Sequence, residues 1–491
     1  MDNRKHTSQI GNTDGNELQS FIVPDGKVYL EAGDIPNRTK IEFIHIPDTV
    51  TEIAERTFYA CISLKKIRLP KNIKEIRRWT FVNCISLESV VFADEASVTH
   101  IESSAFAGCH SLKSIHIPDT VIEIGDYAFL DCTSLNSIHI PQSVKIIGES
   151  AFRNCYSLKS VVIPKNQITK IREQTFAGCF TLNSITLPES LKTIENNVFD
   201  ECLSLEKIKI PNSVTKIGES AFISCKSLKK IDLSKSLTTI GKSAFRECRL
   251  LETIDIPNGV TTIGNGVFSV CHSLKTITIP DSVTKIGNYA FLNCSSLQKI
   301  TIPDSVTVIG DQAFWGCSRL KHVVIPNSVH TMGEMSFCSC DSLQTVKISR
   351  SIKVVPRLSF RHCHSLYDVN LPNSVETIGS NAFEGCYSLV SIKLPWSIKK
   401  IYSNAFRDCK SLKSIVIPES LHDIKIGRGT FAGCESFTHI ELSKSVVSIG
   451  KFAFYGCKSL EAICVPDGTL DYFDQLLANP GQCDDLDDDL P

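Results

Sequence analysis

The stretch Ile279–Thr301, IPDSVTKIGNYAFLNCSSLQKIT, decides the fold, because its pattern returns along most of the chain at a spacing of 23 residues. Cysteines recur at 61, 84, 109, 132, 155, 179, 202, 225, 248, 271, 294, 317, 340, 363, 386, 409, 434 and 457, and each is preceded three residues earlier by phenylalanine. Eighteen of the 21 cysteines and eighteen of the 25 phenylalanines thus fill two columns of one unit. The wider gaps at 84 to 109, 155 to 179 and 409 to 434 trace to insertions around Asp94-Glu95, Asn166-Gln167 and His422-Asp423, which a stacked array absorbs in its loops. A length of 491 residues would otherwise suggest three or so compact domains. A repeat array grows in one dimension and needs no enlarged core.

Within the unit, Leu stands three residues after Cys, as at Leu112, Leu135 and Leu297, followed by apolar residues such as Ile115 and Ile117. The L-x-x-I-x-I text is the strand part of a leucine-rich repeat, whose units run to about 20 to 29 residues. Its alternation predicts one short strand per unit with the isoleucines turned inward. Proline follows at Pro118, Pro141 and Pro303, and without an N–H it ends the ladder. In the S-V-x-x-I-G segment, glycines such as Gly125, Gly148 and Gly287 mark a turn of positive φ or a close backbone approach. The A-F-x-x-C text has the spacing of one helical turn, which predicts a short helix or 3₁₀ turn on the convex side.

Taken together, I-P-x-S-V-x-x-I-G-x-x-A-F-x-x-C-x-S-L-x-x-I resembles the BspA-like class of leucine-rich repeats. The resemblance implies an α/β repeat solenoid, a leucine-rich-repeat superhelix with a continuous parallel concave β-sheet and short convex strands or helical turns. It also implies a non-enzymatic role in protein binding and adhesion at cell surfaces. The organisation expected is a flexible N-terminus (1–17), a degenerate N-terminal cap (18–40), about eighteen repeats (41–465), a C-terminal capping helix (466–482) and an acidic tail (483–491). Cap sequences differ from the middle because one of their faces meets solvent.

Bulk composition adds exclusions. A formal net charge of -1 gives no general attraction to nucleic acid or membrane. Neither an apolar leader nor a run of roughly 20 apolar residues is legible, so the sequence by itself reads as cytoplasmic and the resemblance as cell surface. An intracellular scaffold is the alternative role, and a monomer is expected.

The chemistry that eighteen aligned thiols could support is limited. Stacked strands lie about 4.8 Å apart, but side chains of one column point the same way, so buried free thiols acting as small apolar groups are expected rather than disulfides. Cys338, Cys340, His362, Cys363 and His364 form the one local set with metal-ligand chemistry, yet two of them belong to the core column. With no phosphate-binding glycine-lysine order and no distinctive Ser-His-Asp grouping, no catalytic residue, cofactor or metal is assigned.

A partner surface is expected on the outward strand positions. Lys65, Lys66, Arg68, Lys113, Lys159, Lys207, Lys209, Lys229, Lys230, Lys275, Lys299, Lys321, Lys347, Lys393 and Lys413 face Glu88, Glu206, Asp232, Glu252, Asp255, Asp368, Glu441 and Glu461, fifteen basic against eight acidic. Lys207, Lys209, Lys229, Lys230, Lys299, His322, Lys347 and Lys393 are the candidate contacts for an acidic or glycosylated protein ligand. Too few aromatic residues interleave with them for nucleic acid. Trp79, Trp315, Pro356, Trp396 and Tyr402 depart from the repeat text and mark further candidate interface positions.

Overall fold

The computed structural model describes residues 20–464 except Asn166 and Leu421, distributed over two compact units, Met1–Cys248 and Arg249–Pro491. In each unit the chain winds as a parallel β-solenoid, with about 19 turns in all. A turn contributes a strand of usually three residues after the Leu column, such as Thr276–Thr278, and a two-residue strand at the V-x-x-I segment, such as Lys285–Ile286. Neighbours pair in parallel one repeat apart: Ile254 with Ile277 on one side, Ile263 with Ile286 on the other. The isoleucines face inward and the residues flanking them face solvent, as period-two alternation requires.

The three-residue strands form segments rather than one unbroken sheet. Unit 1 holds a six-stranded sheet from Ser20–Ile22 to Ser137–His139 and two pairs; unit 2 holds a pair, a three-stranded and a four-stranded sheet. A strand of three residues makes few ladder bonds with a neighbour, so a small change of stagger removes them while the apolar side chains beneath stay packed. Val161 and Ile208, at the ends of such segments, remain 2% and 5% exposed.

The A-F-x-x-C segment corrects the helical expectation. Leu292 and Cys294 N–H groups close turns onto the carbonyls of Tyr289 and Phe291 within the coil. Those of Tyr289, Phe291 and Asn293 instead reach Asp311, Ala313 and Trp315 of the next coil, at 2.7 to 2.9 Å. Tyr289 and Asn293 have φ of 59° and 56°, a left-handed conformation that interrupts any helix. Alternate N–H groups therefore tie coil to coil, giving a third line of cross-coil bonds. Among the described residues the one helical segment is the 3₁₀ turn Ala32–Asp34.

Glycine in the I-G step serves close approach. A Cβ on Gly148 would lie 2.3 Å from the Asp126 nitrogen and 2.4 Å from the Gly125 carbonyl carbon, and the φ of Gly148 is not positive. Serine in the S-V step also bridges coils: Ser282 Oγ donates to the Val260 carbonyl at 2.7 Å, and Ser305 Oγ to that of Val283 at 2.7 Å.

The core is a set of columns. Phenylalanine rings stack nearly parallel at centroid spacings such as 5.0 Å for Phe58–Phe81 and 5.2 Å for Phe291–Phe314. The described cysteines are all free, and of the repeat column all but Cys457 are buried. At the N-terminal end, Ser20–Ile22 pairs with Phe43–His45 and Tyr29–Leu30 with Glu52–Ile53, so residues 20–30 already follow the coil geometry. The expected flexible N-terminus, capping helix at 466–482 and acidic tail lie outside the described residues.

Candidate functional site

Outward positions on the three-residue strands carry the candidate contacts. In unit 1, Lys207 and Lys209 flank buried Ile208, and Lys230 and Asp232 flank Ile231 in the adjoining strand, with Lys207 opposite Lys230 and Lys209 opposite Asp232. Lys229 Nζ lies 3.1 Å from Glu206 Oε2 and Lys230 Nζ 3.3 Å from Asp232 Oδ1. Similar cross-coil pairs join Lys113 to Glu88 at 2.9 Å and, in unit 2, Lys275 to Glu252 at 2.8 Å. These four of the fifteen basic residues are thus held by acids of the same face, and the excess counted along the sequence resides in the others. The signal was present in the text, since Glu206 and Lys229 stand one repeat apart and therefore in one column.

Among the described residues, Lys207, Lys209, Lys299, Lys321, Lys347 and Lys393 make no ion pair. Three of these, Lys299, Lys321 and Lys347, gather around one concavity of about 610 Å³ together with His322, exposed Val324, Gln298 and Asn327. Asp304 is its one acidic lining residue. His322 Nδ1 lies 3.0 Å from Thr345 Oγ1, and Val324 stands opposite Lys347 in the ladder.

The concavity sits where the sheet is interrupted. Residues 298–303 are the one stretch at this repeat position, among the described residues, that forms no strand with either neighbour. Gln298 N–H reaches the Lys275 carbonyl at 3.4 Å and Lys321 N–H the Gln298 carbonyl at 3.4 Å, against 2.8 Å for Gln344 N–H on the Lys321 carbonyl at the same position of the next coil. Ile277, Ile279, Ile300 and Ile302 rise to between 7% and 9% exposure, where Ile325 stays at 1%. Side-chain packing and the two bonds at Gln298 hold this coil to its neighbours.

Two further concavities also coincide with interruptions, here between the two-residue strands. One of about 680 Å³ lies between Thr331–Met332 and Val354–Val355, where Pro356 occupies the glycine column and has no N–H to offer the Met332 carbonyl. A smaller one of about 240 Å³ lies between Glu52–Ile53 and Glu75–Ile76.

The other departures from the repeat separate by exposure. Trp396 is 54% exposed and Tyr402 only 7%. Trp79 lies against the Arg56 guanidinium, 4.6 Å from its carbon to the ring centroid, so it is engaged within its own unit. Around Cys338, burial raises the thiol, and burial followed by Arg361 lowers His362, whose Nδ1 is buried without a hydrogen-bond partner. No group of three or more His, Cys, Asp or Glu side chains suited to a metal ion is found among the described residues. Among them, too, no helix is long and apolar enough to cross a membrane.

Parallel coils of about 23 residues, with inward Leu, Ile, Phe and Cys columns, define a leucine-rich-repeat solenoid. The family description "BspA type Leucine rich repeat region (6 copies)" matches residues 36–159, 145–271, 238–367 and 353–477, and the chain belongs to that family. It is similar to a leucine-rich repeat protein from Bacteroides ovatus, with 26% identity over 95% of this chain and 100% of the other, at a TM-score of 0.41. It is also similar to a leucine rich cell surface protein from Faecalibacterium prausnitzii, with 23% identity over 97% and 100% of the two chains, TM-score 0.31. A leucine-rich repeat protein from Eubacterium ventriosum shares 20% identity over 92% of each chain, TM-score 0.35. No curated protein matches the chain.

Proposed function

We propose that this chain is a non-enzymatic binding protein that engages a protein partner through the outward face of its three-residue strands. Leucine-rich repeats are generally protein-binding, and the observation that carries the reading is the run of lysines on this face left without acidic partners. Lys299, Lys321 and Lys347 surround a concavity with an exposed valine between them. Desolvated cation–carboxylate contacts with an apolar centre are the usual makings of a specific interface. Lys207, Lys209 and Lys393 extend the same chemistry, while Lys229 and Lys230 are held by Glu206 and Asp232. The partner is a host or cell-surface protein, acidic or glycosylated, in keeping with the cell-surface description of the Faecalibacterium prausnitzii protein.

The test is capture of partner proteins from host-cell surface extracts by the wild-type chain and by forms with Lys207 and Lys209, or Lys299, Lys321 and Lys347, changed to Glu. Loss of the captured partner on reversal supports the reading; capture indifferent to every reversal moves the interface off this face.

A second reading, an intracellular scaffold using the same face, is favoured by the thiols, since the described cysteines are all free and persistent free thiols suit a reducing compartment. Protease treatment of intact cells separates the two: cleavage places the protein outside, protection inside.

A further inference from the structure

We infer that the slit between residues 330–335 and 351–357 is a binding site for a free aromatic α-amino acid, whose ring enters among Met332, Met335, Val354 and Pro356 while its ammonium and carboxylate meet Glu334 and Arg357. The site lies among the two-residue strands rather than the three-residue ones, and so is separate from the protein-binding face proposed above.

The first observation is the shape. The concavity of about 680 Å³ falls within the range of about 300–1,000 Å³ that small-molecule sites occupy. Its two coils stay tied at both ends, by Met335 N–H on the Arg357 carbonyl at 3.1 Å and by Ser349 Oγ on the Val329 carbonyl at 2.7 Å. Between those ends the strands Thr331–Met332 and Val354–Val355 are unpaired, and Pro356 lacks the N–H with which Gly333 holds Ile309 one coil earlier at 2.8 Å. The coils part only locally, leaving a slit that suits a flat group and is lined by side chains.

The lining names the flat group. Two of the three methionines in the chain, Met332 and Met335, line this one recess, where the preceding coil has Ile309 and Gln312. With Pro356 in the glycine column, three departures from the repeat converge on one place, as local departures do at a site. Thioether sulfur makes favourable contacts with aromatic rings, so an aromatic ring fits here better than an aliphatic chain.

Charge is the third observation. Of the acids in the lining, Asp311 is already engaged, its two oxygens accepting the Glu334 N–H at 3.0 Å and Asn288 Nδ2 at 3.2 Å. Lys353 is drawn outward to Glu376 at 3.8 Å, and His330 Nδ1 lies 3.0 Å from Thr331 Oγ1. That leaves Glu334 and Arg357, joined only loosely at 3.8 Å and half exposed; among the described residues neither side chain makes a hydrogen bond. A carboxylate and a guanidinium side by side complement an ammonium and a carboxylate carried on one carbon, the head of an α-amino acid, and the guanidinium offers its carboxylate a two-pronged contact.

The full-length chain is titrated calorimetrically with L-phenylalanine, and in parallel with N-acetyl-L-phenylalanine, which lacks the ammonium, L-phenylalaninamide, which lacks the carboxylate, and L-alanine, which lacks the ring. Saturable binding of phenylalanine is expected, with the other three weaker by about tenfold or more, the cost of one charge-assisted contact or one buried ring. Glu334→Gln should weaken phenylalanine and the amide but leave the acetyl form where it was. Arg357→Gln should weaken phenylalanine and the acetyl form but leave the amide. Met332→Ile with Met335→Gln, which restores the residues of the preceding coil, should weaken every ligand that carries the ring. Glu219→Gln, at the same column position of a coil whose strands Lys216–Ile217 and Thr239–Ile240 stay paired, should leave binding unchanged. Glu334 and Arg357 are 47% and 50% exposed, and an unchanged thermal transition certifies that each variant folds.

No saturable binding, alanine bound as tightly as phenylalanine, or affinity unmoved by the Glu334, Arg357 or paired methionine changes overturns the site. Equal affinity for the amide or for the acetyl form overturns the free amino acid in favour of a residue at a chain terminus.

Discussion

Cys225 Sγ donates to the carbonyl oxygen of Phe199, one coil back, at 3.1 Å, and the same oxygen accepts the Cys202 N–H at 3.1 Å. Both lone pairs of a fully buried carbonyl are thereby filled. The arrangement repeats through both units, for example from Cys84 to Phe58 and from Cys317 to Phe291. A cysteine column is thus more than small apolar filling. It is a second, weak donor to the phenylalanine column's buried carbonyls, beside the cysteine N–H that each already accepts.

Replacing Cys225 by Ala removes that donor and a sulfur's volume at a site with 0% exposure. The expected loss is about 1–2 kcal/mol, combining the loss of the second, weaker bond to a carbonyl that Cys202 N–H still holds with a small cavity. A shift of the urea unfolding midpoint to lower concentration, with unchanged m-value, is the measurement. An unmoved midpoint would show that the thiol is passive packing.

Burial also sets how the thiols titrate. It pushes Cys179 and Cys317 up to about 12 and Cys457 to about 11, from an ordinary value of 9.0. Because the folded-state values are raised, the protonated thiols favour the fold. That contribution is complete below pH 9 and is lost as pH climbs from 9 toward 12, where the unfolded chain releases protons that the folded chain keeps. Stability should therefore fall steadily above pH 9. At pH 8, iodoacetamide should leave the buried repeat-column thiols, all of them but Cys457, unmodified in the native protein while reaching exposed Cys464. Mass spectrometry showing rapid labelling of Cys225 or Cys317 in native protein would refute the buried column.

Glycine at the I-G step gives a third prediction. Ala at 148 would place Cβ within 2.3 Å of backbone that has no room to move, whereas a Cβ on Gly33 would meet nothing within 4 Å. Gly148→Ala should destabilise by about 1–3 kcal/mol, and Gly33→Ala should leave the thermal transition within a degree or two. Equal behaviour of the two variants would remove close approach as the reason for glycine.

The unit length, the three-residue strand of each coil, and the inward Phe, Cys, Leu and Ile columns were legible because periodicity at 23 residues and alternation at two are written directly in the text, whereas the two-residue strand at V-x-x-I read only as a turn. What misled was A-F-x-x-C, whose helical spacing hides residues of positive φ. The clue lay one residue before the cysteine, where Asn83, Gly108, Asp131, Asn154 and Gly178 supply the types that tolerate the left-handed region. The face was legible in position but not in charge. A tally of charges does not pair them, although the one-repeat spacing of Glu206 and Lys229 already set these two in one column, whereas Lys299 has no acid at its column position in the neighbouring repeats. Nor could the text locate the interrupted coil, since Lys299-Ile300-Thr301 reads like its neighbour Thr276-Ile277-Thr278; the difference lies in stagger between coils rather than in composition.

The phenylalanine column carries the last prediction. Phe222 is fully buried and stacks on Phe199 at 5.0 Å and on Phe245 at 5.5 Å, so truncation to Ala removes one ring from two stacks and opens a cavity bounded by the cysteine and leucine columns. Large-to-small changes of this kind cost about 3–5 kcal/mol when the surroundings cannot collapse, and here the backbone at the site and at the Phe199 neighbour is pinned by cross-coil bonds, Phe222 N–H to the Ala244 carbonyl and Phe199 N–H to the Ala221 carbonyl, each at 2.8 Å. Each coil contacts chiefly its neighbours, so the damage should be local before it is global. Hydrogen exchange should quicken first at the amides of 199, 222 and 245 while the six-stranded sheet from Ser20–Ile22 to Ser137–His139 keeps its protection. Uniform loss of protection across Met1–Cys248 would instead mean that the unit unfolds as one cooperative body, and unchanged exchange and thermal unfolding would refute the inward column itself.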